Sequence, residues 1–187
     1  MFPSGVLVRV KMDDLVSSLP DRLVSCGPPG LKASVVEGDP DPDVRGTLEL
    51  NQWSDFWCHL KVDGTDELST LLVESLVKIQ PVKELVTCRF VPESGEYSYA
   101  YFRNGELLES FECSGPSMET INFTSELRKV PIQNILRASE FMAASMEQFG
   151  IEPEPKHKAR LGDAVIQVDF PGRKTFWQTL LGAVSRR

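Results

Sequence analysis

The side chains in this chain that could act as nucleophiles, bases or soft metal ligands are Cys26, Cys58, Cys88, Cys113, His59 and His157. The cysteines lie 32, 30 and 25 residues apart, with no C-x-x-C pair. A structural zinc site draws on closely spaced ligand pairs. The spacing therefore predicts free thiols, no metal and no cofactor, in a reducing, cytoplasmic compartment. A Cys-His dyad needs the base aimed at the sulfur. Cys58 and His59 are neighbours in an alternating segment, so they point to opposite faces of a strand. His157 sits in the charged stretch EPKHKAR and reads as solvated. Neither a nucleophile elbow, a dinucleotide fingerprint, a phosphate loop nor an H-E-x-x-H helix is present. No catalytic residue is assigned, and a non-catalytic role is expected.

The stretch EGDPDPDVRG places Glu37, Asp39, Asp41 and Asp43 at alternate positions. A calcium loop of the EF-hand type needs Gly at its sixth position and Glu at its twelfth. Here those positions hold Val44 and Leu50, and two prolines stiffen the arc. A solvated loop is the simpler reading.

Tyr97, Tyr99 and Tyr101 recur every second residue in YSYAYFRNGELLESFE, and Trp53, Phe56 and Trp57 form a second aromatic concentration. Tyrosine and tryptophan are enriched at binding hot spots, but they also fill core edges. Asn104-Gly105 predicts a two-residue hairpin turn. A regular ladder then sets Tyr99 opposite Ser110 and Tyr97 opposite Glu112. Val86, Cys88, Phe90, the three tyrosines and Leu108 share one face. Leu85, Val91, Ala100, Phe102, Leu107 and Phe111 share the other, with Arg89 and Glu109 flanking Ala100. The phenylalanine face is the more apolar and is expected to face the core. Tyr97, Tyr99, Tyr101, Trp57 and Glu112 are then the candidate binding residues.

These residues must be positioned by one domain spanning residues 1–187, a length that can bury about 70% of its unfolded surface. Hydrophobic residues make up 41% and charged residues 25%, ordinary values for a globular chain. The apolar runs fall far short of the roughly 20 residues of a membrane-spanning helix. MFPSGVLVRV lacks a basic leader, so a secretory signal is not expected and Asn122-Phe123-Thr124 reads as a chance acceptor triplet. The net charge of −7 is uneven. Residues 156–187 hold seven basic and two acidic side chains, whereas residues 1–155 hold thirteen basic and twenty-five acidic ones. An acidic body repels nucleic acid and anionic membrane, so neither is an expected partner.

Hydrophobic periodicity predicts strands at 5–10, 31–36, 47–51, 55–62 and 163–170 and a meander over 84–113. It predicts helices near 14–24, 66–79, 131–149 and 174–185. Strands arriving as hairpins imply an α+β fold, a mainly antiparallel sheet with helices on one face. The basic strand-helix extension 156–187 is expected to dock on the acidic body, with Phe176, Trp177, Leu180, Leu181 and Val184 forming its apolar stripe.

The aromatic strand, Asn-Gly and ELLESFE of residues 97–112 resemble hairpins of small bacterial proteins and toxin-immunity proteins; no family is assigned. The reading is a protein-binding module of inhibitor or immunity type, using an acidic, tyrosine-bearing sheet surface toward a basic protein. The alternatives are a small-molecule binder or hydrolase with a pocket between sheet and helices, and a structural subunit docked through its C-terminal helix.

Overall fold

The computed structural model describes residues 4–36, 41, 44, 46–79, 82–91, 93–115, 120–130, 135, 137–154 and 164–171. Among the described residues nine strands form one antiparallel sheet: β1 (Gly5–Arg9), β2 (Lys32–Val36), β3 (Thr47–Gln52), β4 (Trp57–Asp63), β5 (Glu84–Val91), β6 (Glu96–Arg103), β7 (Glu106–Ser114), β8 (Thr120–Ser125) and β9 (Ala164–Asp169). Their spatial order is β2-β9-β3-β4-β1-β5-β6-β7-β8. The helices are α1 (Met12–Cys26), α2 (Asp66–Leu76) and α3 (Ala138–Gln148). The α+β class with an antiparallel sheet is therefore the fold of this chain. Among the described residues no helix is long and apolar enough to cross a membrane.

The central strands carry apolar residues on both faces, and this divides the core in two. On β1, Val6 and Val8 join one cluster while Leu7 joins the other. The first cluster lies under α1 and α2. Leu15, Leu19 and Leu23 of α1 repeat every fourth residue, and Leu68, Leu71, Leu72 and Leu76 of α2 keep i, i+3, i+4 spacing, so each helix turns one stripe inward. Asp66 and Glu67 in the first turn of α2 complement the positive end of its dipole. The second cluster lies under α3, whose Ala138, Met142, Ser145 and Met146 are buried.

The helices were expected on one face; α1 and α2 share a face, and α3 packs on the other. Helix α3 also starts later than the pattern over 131–149, because Arg137 is still extended. Residues 131–134, His157, Asp39, Asp43 and the helix expected near 174–185 lie outside the described residues. The strand of the C-terminal extension is β9, inserted between β2 and β3.

Candidate functional site

The half of the sheet formed by β5–β8 carries the tyrosines. Asn104 and Gly105 both have positive φ (51° and 83°), the backbone of the expected two-residue turn. Arg103 faces Glu106 and Phe102 faces Leu107, and then the register shifts: Tyr101 faces Glu109, Ala100 faces Ser110 and Tyr99 faces Phe111. One extra residue on β7 makes a bulge, and every later side chain of that strand changes face. Glu109, Phe111 and Cys113 thereby join the tyrosine face, while Ser110 and Glu112 move to the other.

This bulge overturns the expected burial. Tyr99 and Tyr101 are 3% and 1% exposed and Phe111 is 1% exposed, whereas Leu107 is 48% exposed. The tyrosine face is the core face because α3 covers it. Tyr101 stacks on Phe149 at 4.2 Å, and Tyr99 tilts against Phe111 at 5.8 Å. Tyr97 is half-buried at the margin, edge-on to Phe90. Trp57 is also buried in this cluster, and the exposed aromatic of its segment is Phe56, with Arg9 over its ring. Of the five candidate binding residues, only Glu112 is fully at the surface.

Beneath α3 lies a polar cluster that periodicity did not reveal. Glu109, 1% exposed, accepts hydrogen bonds from the Tyr99 hydroxyl (2.6 Å) and from Ser125 Oγ (2.6 Å). Arg128 grips the same carboxylate with two nitrogens, at 2.9 and 2.6 Å. The second nitrogen also reaches Ser145 Oγ at 2.6 Å, which ties α3 to the sheet. Phe141 and Phe123 flank the guanidinium. Burial alone would raise the Glu109 carboxyl, but the donors from Arg128, Ser125 and Tyr99 together hold it below its usual range. Burial and the hydrogen bond to Glu109 push the Tyr99 hydroxyl up. With its partners already supplied by the protein, this cluster reads as a fastener. Its only sequence-level trace is a Glu inside an apolar strand.

Two of the potential nucleophiles, Cys88 and Cys113, are subdued by burial. Cys26, Cys58, Cys88 and Cys113 are not joined in disulfides. Burial raises Cys88 to about 12 and also raises Cys113. His59 lies on the face opposite Cys58, with Nε2 3.1 Å from the Ser4 carbonyl oxygen. Burial lowers its pKa, and the Ser4 hydrogen bond offsets this only in part. Among the described residues no group of three or more His, Cys, Asp or Glu could hold a metal.

The opposite face of β5–β8 is different. Helices α1 and α2 cover the other end of the sheet, and here no described helix lies over the strands. Thr87, Ala100, Ser110 and Thr124 form one cross-strand row; Arg89, Ser98, Glu112 and Asn122 form the next. The two middle strands contribute small residues, Ser98, Ala100 and Ser110, leaving a shallow depression of about 300 Å³. Ser110 and Thr124 share a hydrogen bond of 2.7 Å across it. Arg89 pairs with Glu96, while Glu112 makes no ion pair among the described residues. The face can form hydrogen bonds and receive a cation.

Comparison with protein-family models, curated proteins and solved structures returned no match.

Proposed function

We propose that this chain is a cytoplasmic, non-catalytic protein-binding module whose contact surface is the uncovered polar face of β5–β8. The observation that carries this reading is a four-stranded face of small hydroxyl and amide side chains, with the exposed Glu112 at its centre. A partner presenting Lys or Arg to Glu112 and polar groups to Ser98, Ser110 and Asn122 fits its chemistry. The acidic excess of residues 1–155 favours a basic partner. In this reading Tyr97, Tyr99 and Tyr101 support the surface from the α3 side, where Trp57 packs in the same cluster. The raised thiols and the satisfied Glu109 support a non-catalytic role.

The test compares proteins captured from a lysate by the full chain with those captured by Glu112→Lys and Ala100→Arg variants. A partner so identified is then titrated in purified form. Both substitutions should weaken its binding by at least about tenfold, the loss of a buried charge contact, with the melting temperature nearly unchanged. If every captured protein binds the variants as well as the parent, this face is not the contact surface.

A further inference from the structure

On the far side of the molecule an open groove of about 620 Å³ runs between the end of α1, one side of α2 and the end of β9. Its apolar lining comes from Leu71, Phe170 and Pro171, and its acidic lining from Asp66, Glu67 and Glu74. Asp66, Glu67, Thr70, Leu71 and Glu74 follow one another at i, i+1, i+4, i+5 and i+8, a single stripe of α2. Residues 172–187 follow directly from Pro171, which itself lines the groove. Their apolar residues Phe176, Trp177, Leu180, Leu181 and Val184 keep that same i, i+1, i+4, i+5, i+8 spacing. Arg173, Lys174, Arg186 and Arg187 lie at the two ends of the segment, which contains no acidic residue.

We infer that residues 173–187 form an amphipathic helix that docks in this groove. Three features single out this occupant. The segment starts at the groove, so its tether gives it a high local concentration that a free partner lacks. A helix over 174–185 is about 18 Å long, matching the roughly 16 Å of α2. The acidic lining meets a purely basic segment, and the apolar stripe meets Leu71 and Phe170. Apolar burial supplies most of the attachment, since partly exposed ion pairs contribute little. The docked segment would complete the cover over α1 and α2, leaving the β5–β8 face as the open one.

Cys26 reports on this directly, because it lines the groove and is half-buried while Cys58, Cys88 and Cys113 are buried. In the full chain, Trp177→Asp combined with Leu181→Asp should speed labelling of Cys26 by a small maleimide by at least about tenfold, as uncovering a thiol does. Independently, single cysteines placed at Trp177, Leu181 and Val184 are compared with controls at Thr175 and Gln178 on the other side of the helix. At least one stripe position should form an intramolecular disulfide with Cys26 under mild oxidation, which requires Cα atoms within about 7 Å. The controls should not. Disulfide-linked dimers would assign the groove to a second copy's tail, and equal crosslinking from both sides of the helix would mean no docking. Either result overturns the inference, as does unchanged Cys26 labelling.

Discussion

The two halves of the sheet solve one problem with different chemistry. Under α1 and α2 the core is almost wholly aliphatic, built on leucines from both helices and from β3 and β4. Under α3 it is aromatic, with Trp57, Tyr99, Tyr101, Phe111 and Phe149 around the buried Glu109–Arg128 pair. Leucine stripes bury area without regard to direction and tolerate small shifts of the helix. Hydroxyls and a guanidinium fix distance and angle, so the second half specifies where α3 sits. The polar network thus confers registry, and the aromatic rings supply the apolar area.

The largest expected effects fall in the aromatic half. Phe111→Ala should cost about 3–5 kcal/mol, as buried aromatic truncations do. Tyr99→Ala should cost a similar amount, because it removes a buried ring and a donor to Glu109. Denaturant unfolding of both variants checks this. A Tyr99→Ala cost below about 1 kcal/mol would return Tyr99 to the surface and dissolve the contrast between the halves.

The aliphatic half was far more legible in sequence than the aromatic one. Leu68, Leu71, Leu72 and Leu76 announce α2 at helical spacing, whereas in the aromatic half Asn104-Gly105 announces the turn between β6 and β7 and little else. The bulge on β7 leaves no periodic mark, since Leu107 and Leu108 are both apolar and either could face inward. One inserted residue sent Phe111 and Glu109 to the side opposite the expected one. Strand β8 was missed although Ile121 and Phe123 alternate with Thr120, Asn122 and Thr124, a clear period of two. Arg128 and Ser145 could not be placed from sequence, because they meet Glu109 only through contacts distant along the chain.

A smaller effect separates the halves electrostatically. Arg128→Met should cost about 3 kcal/mol, the low end for breaking a buried pair because the guanidinium side is partly solvated. Adding Glu109→Gln should recover part of that loss, with a coupling on the order of 1–3 kcal/mol between the two sites. The Glu109 carboxyl is lower in the fold than in the unfolded chain. Its contribution is therefore complete above the ordinary value of about 4.3 and is lost as pH falls through the depressed one. His59 is depressed too, so its share begins to fade just below about pH 6.5. Glu109→Gln should flatten the lower part of the acid limb and leave the upper part intact. An unchanged acid limb would show that Glu109 is not the group being protonated.

The smallest effect is the sharpest test of which surface is open. Ser110 and Phe111 are neighbours on β7 and point to opposite faces, one toward the depression and one toward α3. Ser110→Ala removes only the hydrogen bond to Thr124, which water can replace on an uncovered face. The cost should be about 0.2–1 kcal/mol, the range for a cross-strand pair. It should stay there when Thr124 is also replaced by alanine, since no buried group is left unsatisfied. A loss of several kcal/mol from Ser110→Ala would mean that something covers this face in the free protein. The polar rows would then be interior, and a partner could reach Glu112 only by displacing that cover.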